Sequence, residues 1–303
     1  MASYNQMPLE VLKERAEQAV AKLESCDLCP RACGVNRLKG LQGVCRGGRM
    51  ARIASFAPHF GEESPLVGSC GSGAIFFAGC NLGCIFCQNY EISQDDLGEN
   101  VSADDLAKIM IHLQRMGCHN INLVTPTHFV PQILEALIIA RARGLNVPLV
   151  YNCGGYESVE TLRLLDGIVD IYMPDMKYGS DEDGLEEQAG QRYSHARDYA
   201  MHARAAIKEM HRQVGDLVTE DGLAVRGIIV RHLVLPEGIA CTKEVVEFLS
   251  GLSKNTYLNV MAQYRPAHEA EACPELSRCI TASEFGDACK LAADAGLTRG
   301  LEI

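Results

Sequence analysis

The chain has no tryptophan, and its aromatic share is only 6%. It has no surplus of positive charge either: the formal net charge is −11, which argues against gripping nucleic acid as a main task. No apolar run approaches the roughly 18 residues that a membrane span needs. The stretch Met1 to Ser25 is charged and helix-like and lacks the apolar core of a signal peptide, so the expected location is cytoplasmic. No internal repeat is visible beyond two cysteine clusters. What the chain does have is 303 residues, 47% of them hydrophobic, and fourteen cysteines. That is enough apolar material for a substantial core. In a chain without an export signal, so many thiols point to metal ligation rather than to disulfides. Seven fall in the two clusters. The others (Cys70, Cys118, Cys153, Cys241, Cys273, Cys279 and Cys289) are scattered and read as free thiols, a load suited to an anaerobic life.

The second cluster carries the chemistry. Cys80, Cys84 and Cys87 are spaced Cys-x3-Cys-x2-Cys directly behind the apolar run Ala74-Ile75-Phe76-Phe77-Ala78-Gly79. A cubic four-iron, four-sulfur cluster takes one ligand per iron, so three cysteines leave one iron open to a second molecule. A zinc site or three buried core thiols would use the same residues, but zinc usually brings a fourth ligand and none is evident nearby. The spacing resembles the signature of the radical S-adenosylmethionine (radical SAM) enzymes, in which that molecule caps the open iron.

Upstream, Pro8 to Ser25 has Leu9, Leu12, Ala16, Ala19, Val20 and Leu23 at helical spacing, an amphipathic helix expected on the outside of the fold. Cys26, Cys29, Cys33 and Cys45 follow in a Gly- and Arg-rich segment with too little apolar surface to fold unaided. Metal binding would supply that folding free energy, with zinc or an auxiliary iron–sulfur cluster as the occupant. Arg31, Arg37, Lys39, Arg46, Arg49 and Arg52 lie here with no acidic residue among them. They offset thiolate charge or form a docking patch for an acidic partner or RNA. The link from Ala57 to Pro65 contains His59, Glu62 and Glu63 and reads as structural.

From Ala74 onward short apolar runs alternate with helical patterns. Strands are expected at Ala74–Ala78, Ile121–Val124, Pro148–Tyr151, Val169–Met173, Gly227–Leu235 and Tyr257–Ala262. Helices are expected at Ser102–Gly117, Pro131–Arg143, Ser158–Leu165, Tyr193–Val214, Thr242–Gly251 and Thr281–Ala295, the first and last opening on capping-box pairs. Such alternation means βαβ crossovers and a parallel sheet. Six strands fall short of a full barrel. The fold class is therefore α/β, a partial six-stranded (βα)6 parallel barrel with an N-terminal cysteine-rich extension. The expected division is 1–60 for the helix and four-cysteine segment and 61–303 for the barrel and closing helix. Asp181–Glu187 reads as an acidic exposed excursion.

Ligands of parallel α/β folds sit at the carboxyl ends of the strands. Those ends here carry the three cysteines, Thr125-Pro126-Thr127-His128, Asn152-Cys153-Gly154-Gly155, Asp175-Met176-Lys177, Arg231-His232 and Tyr264-Arg265. Residues 74 to 265 resemble the radical SAM core of the pyruvate formate-lyase activating enzyme group. The whole chain is similar to its branch with an N-terminal four-cysteine segment. The matching stretches are Cys26 to Arg37, His-Phe-Gly-Glu-Glu (59–63), Gly79 to Asn89, Asp175-Met176-Lys177 and Val230 to Pro236. The resemblance implies a [4Fe–4S] cluster on Cys80, Cys84 and Cys87, with S-adenosylmethionine as cofactor and Phe86 near its adenine. Asp175 and Lys177 would meet the amino-acid end; Asn152 and Arg231 would approach the nucleoside or carboxylate. Where that group has a Gly-Gly-Glu segment for the methionine amine, this chain has Thr125-Pro126-Thr127-His128, and the resemblance implies that Thr125 or Thr127 oxygens, or backbone carbonyls, would take its place. The implied partners are a reductant such as flavodoxin or ferredoxin and a glycyl-radical enzyme. An RNA or a small metabolite is the alternative substrate, and an iron–sulfur carrier the alternative to an enzyme.

Overall fold

The computed structural model describes residues 2–95, 97–179 and 185–301. In chain order the helices and strands are α1 (Leu9–Ala21), β1 (Ala51–His59), α2 (Ser64–Val67), β2 (Ser72–Phe77), α3 (Tyr90–Ser93), β3 (Glu99–Val101), α4 (Ala103–Arg115), β4 (Ile121–Val124), α5 (Val130–Ala142) and β5 (Leu149–Cys153). They continue as α6 (Val159–Leu164), β6 (Ile171–Pro174), α7 (Leu185–Ser194), α8 (Tyr199–Val214), β7 (Val218–Glu220), β8 (Leu223–Leu233), α9 (Thr242–Leu252), β9 (Tyr257–Met261) and α10 (Ala282–Asp294).

All six expected strands are present, as β2, β4, β5, β6, β8 and β9, and they run parallel in that order. Three more strands extend the sheet. β1 pairs antiparallel with β2, β3 with β1, and β7 forms a hairpin on the first half of β8. β1 thus joins the sheet although it precedes residue 60. The sheet path runs from β3 to β7 with β9 on β8, and among the described residues no ladder joins β9 back to β2.

Alternation along each strand separates two apolar layers. Ile75, Phe77, Ile121, Leu123, Tyr151, Tyr172, Ile228, Val230 and Leu258 face the helices. Val150, Ile171, Met173 and Ile229 face inward and enclose Leu66, which is fully buried among them. Both faces being covered explains why these strands read as largely apolar runs with little alternation.

The expected helix Tyr193–Val214 is in fact interrupted: His195 and Asp198 adopt positive φ, and α8 starts only after them. Most of the excursion at Asp181–Glu187 lies outside the described residues. The capping box at Thr281 and Glu284 is formed, with reciprocal bonds of 3.1 and 2.7 Å. At Ser102 the side chain accepts from the Asp105 amide. Helix α1 packs outside the sheet against α5.

Residues 60–71 leave β1, put Leu66 into the interior, and reach β9, where Asn259 Nδ2 donates to Glu63 Oε2 at 2.7 Å. Asn120 Nδ2 donates to the Leu66 carbonyl at 2.9 Å and holds the crossing in place.

Candidate active site

β2 ends at Phe77, and Gly79 turns the chain into the cysteine loop with φ of +81°. A Cβ on Gly79 would stand 2.2 Å from the Cys45 carbonyl oxygen, so only glycine lets the two cysteine segments approach this closely. The sulfurs are free thiols. Burial, with neighbouring thiols adding to it, pushes the Cys80 thiol well up; burial does the same to Cys84 against the pull of Lys177. Without a cation such thiols keep their protons, so a metal is what would ionise them.

Cys80, Cys84 and Cys87 line a cavity of about 450 Å³ at the carboxyl ends of the parallel strands. Six residues expected to hold the nucleotide line it too: Phe86, Thr125, Asn152, Asp175, Lys177 and Arg231. Lys177 Nζ donates to Asp175 Oδ2 at 2.6 Å. Arg231 donates through Nε to Asp175 Oδ1 and through Nη2 to Asn152 Oδ1, both at 2.8 Å. Burial alone would raise the Asp175 carboxyl, but Arg231 and Lys177 outweigh it and hold it below its ordinary value. Burial likewise works against the Lys177 ammonium, and Asp175 and Cys84 more than offset it. The result is a fixed array of two cations on one carboxylate, pointing into a cavity beside three thiols.

Thr125 adopts φ of +60°, a conformation that β-branched residues avoid. Its amide donates to the Asn152 carbonyl at 2.8 Å, pinning the strained residue at the cavity wall. Thr127 points elsewhere. Its hydroxyl donates to Glu157 Oε1 at 2.6 Å, and Tyr151 donates to Oε2 at 2.9 Å. Arg265 is exposed. Phe86 is buried, edge-on to Tyr264 with ring centroids 6.0 Å apart.

From the sequence His59, Glu62 and Glu63 read as structural, yet all three line the same cavity. The signal was there, two adjacent carboxylates beside a histidine, but nothing in the sequence says that the segment folds back into the barrel. Burial pushes the Glu63 carboxyl up, against Arg231 and the Asn259 hydrogen bond.

Glu157 gives a testable pH dependence. It is 1% exposed. Burial pushes its carboxyl up to about 7, against the hydrogen bonds from Thr127 and Tyr151. Between pH about 4.5 and about 7 the folded chain keeps a proton that the unfolded chain has released. Stability therefore falls as pH rises through that window, by about 3 kcal/mol in all. Glu157→Gln should remove most of this slope, so the variant gains on the wild type between pH 5 and pH 8 in urea unfolding. Parallel profiles would refute it.

Cys26, Cys29, Cys33 and Cys45 line a second, smaller pocket with Arg31, Arg37, Asn81 and His128. It abuts the first cluster: Arg31 Nε donates to the Asn81 carbonyl at 2.9 Å. Among the described residues no three His, Cys, Asp or Glu side chains converge on a single ion position. Arg31 Nη2 and His128 Nδ1 are buried there without a hydrogen-bond partner. His128 Nε2 donates to the Ala78 carbonyl at 2.9 Å, and burial pushes the ring down to about 3, so Nδ1 presents a lone pair. The basic stretch is mostly consumed in holding this segment. Arg37 donates to the Gly48 and His128 carbonyls, Arg46 to that of Gln94, Arg52 to that of Gly98, and Arg49 pairs with Glu135. These bonds favour the structural explanation of the charge over a docking patch.

A parallel α/β sheet with three cysteines on the loop after its first parallel strand, beside a buried cationic array, defines a class that comparison with known proteins identifies. The sequence model of the radical SAM superfamily matches residues 74–249, and the chain belongs to that superfamily. It is also similar to the uncharacterized protein MJ0674 of Methanocaldococcus jannaschii, with 34% identity over 292 residues, 93% of this chain and 78% of that protein. Membership implies a [4Fe–4S] cluster and S-adenosylmethionine. The donor set fits both: three free thiols on one cavity for the cluster, and fixed cations and a carboxylate in the same cavity for an amino-acid nucleotide. No helix among the described residues is long and apolar enough to cross a membrane.

Proposed function

We propose that this radical SAM enzyme holds its cluster on Cys80, Cys84 and Cys87 and its nucleotide against Phe86, Thr125, Asn152, Asp175, Lys177 and Arg231. The observation that carries this is the gathering of all nine on one cavity. When bound, the cofactors supply reductive cleavage of the sulfonium to a 5′-deoxyadenosyl radical, which abstracts hydrogen from substrate. The chain's own residues bind and orient. Lys177 offers its ammonium to a carboxylate while Asp175 fixes its direction. Arg231 is held by Asp175 and Asn152, so it presents one geometry rather than many. Leu66 and the apolar layer around it close the floor against water. Reduction would come from a flavodoxin- or ferredoxin-type donor in an anaerobic cytoplasm. At Cys26, Cys29, Cys33 and Cys45 we propose a second metal site, zinc or iron–sulfur; the orphaned Arg31 Nη2 and His128 Nδ1 beside it support an occupant.

The resemblance favours a glycyl-radical enzyme as hydrogen donor, whose glycine loop would reach the sulfurs through an open flank. Residues 60–71 cross from β1 toward β9, with Glu63 held on Asn259. A small molecule entering over the strand ends needs no such opening, and this second reading gains support from the crossing. Anaerobically reduced protein incubated with S-adenosylmethionine should release 5′-deoxyadenosine and methionine. An iron–sulfur carrier would release neither, and that result would defeat the proposal.

A further inference from the structure

Each of the three cluster cysteines has a group at its sulfur that can donate a hydrogen bond to it. The Leu82 amide lies 3.3 Å from Cys80 Sγ, Ser93 Oγ lies 3.3 Å from Cys87 Sγ, and Ser194 Oγ lies 3.0 Å from Cys84 Sγ. The Ser194 contact is the shortest, and both partners are buried. It comes from a residue 110 positions away, at the end of α7. The backbone there is laced to the cysteine loop: Gly83 N–H donates to the Ser194 carbonyl at 3.1 Å and Ile85 N–H to the Tyr193 carbonyl at 2.9 Å. Ser194 itself is fully buried. Behind it, the Tyr178 hydroxyl lies 2.8 Å from Ser194 Oγ and is buried as well.

The proton inventory fixes the direction of this chain once Cys84 is a metal ligand. A ligating thiolate has no proton to give, so the Ser194 hydroxyl must donate to sulfur. Its single hydrogen is then spent, and the Tyr178 hydroxyl donates to Ser194 Oγ. Burial and the nearby Cys84 keep the Tyr178 phenol protonated, as the relay requires.

We propose that Ser194 is a positioning residue for the cluster, donating a hydrogen bond to the Cys84 sulfur and raising the cluster's reduction potential, with Tyr178 aligning its hydroxyl. Reduction adds one electron to the cluster and its ligands. A donor aimed at a sulfur stabilises the more negative, reduced form, and hydrogen bonds to cluster sulfurs are among the levers that set the potential. Both partners are buried, so solvent competes little for the bond. The inference rests on the proposed cluster assignment.

The test is an anaerobic redox titration of the reconstituted full chain, following the electron paramagnetic resonance signal that added S-adenosylmethionine perturbs. Ser194→Ala should leave iron and sulfide content unchanged. It should make the cluster about tenfold harder to reduce, a fall of about 59 mV for one electron. Tyr178→Phe should shift the midpoint the same way by less, and Ser194→Thr, which keeps the hydroxyl, should stay near wild type. An unchanged or raised midpoint in Ser194→Ala overturns the inference. If that variant fails to hold its cluster, equal midpoints in wild type and Tyr178→Phe overturn it instead. A wild-type chain with no signal responsive to S-adenosylmethionine would defeat the cluster assignment itself, which is a different result.

Discussion

Replacing Asp175 by alanine is expected to cost about 3 kcal/mol of folding stability, because breaking a buried ion pair strands its partners. Here two cations are stranded together. Lys177 and Arg231 both bond to Asp175 and would face each other across the space it leaves. Coulomb repulsion in a site that excludes most water then adds to the loss of both hydrogen bonds. The same substitution should abolish measurable cleavage of S-adenosylmethionine while leaving the cysteine loop able to bind iron. Asp175→Asn keeps the shape and one acceptor, and should fall between. Urea unfolding and 5′-deoxyadenosine release measure the two effects separately. Wild-type stability in Asp175→Ala would mean that solvent reaches the array and that it is not a fixed binding element.

The second large effect is expected at Gly79. An alanine there meets the Cys45 carbonyl at 2.2 Å and must also adopt φ of +81°. The left-handed conformation alone costs about 1–2 kcal/mol. A backbone oxygen cannot yield as a flexible side chain can, so the total should reach about 3 kcal/mol or more. Gly40→Ala supplies the control. It has a similar φ of +80° and nothing within 4 Å of the added carbon, so it carries the conformational cost alone. The difference between the two variants reads the closeness of the two cysteine segments. Iron content should fall in Gly79→Ala and hold in Gly40→Ala; equal behaviour would separate the segments that the structure brings together.

The six parallel strands were legible because strands buried on both faces are largely apolar runs, such as residues 74–77 and Ile171–Pro174. β1 was not. Ala51–His59 mixes Arg52, Ser55, Pro58 and His59 with apolar residues, as suits a partly exposed strand, and only its pairing to β2 makes it one. β3 and β7 are three residues each, too short to show any period. The helix break before Tyr199 depends on positive φ at His195 and Asp198, which neither residue announces. At the site, the strand-end rule found Asn152, Asp175, Lys177 and Arg231 because polar residues stand out after apolar runs. Glu62 and Glu63 reach the cavity from a connection between antiparallel strands, outside that rule. Ser194 sits on Cys84 through a fold-back that no local pattern encodes.

The central claim is that Cys80, Cys84 and Cys87 hold an iron–sulfur cube whose free corner takes the nucleotide. Its most direct measurement is the electron paramagnetic resonance spectrum of anaerobically reconstituted, reduced protein with and without S-adenosylmethionine, beside the variant with all three cysteines changed to alanine. A cluster signal that shifts on adding the nucleotide in the wild type and vanishes in the variant is the predicted result. The same responsive signal persisting in the variant, or none in the wild type, would contradict it.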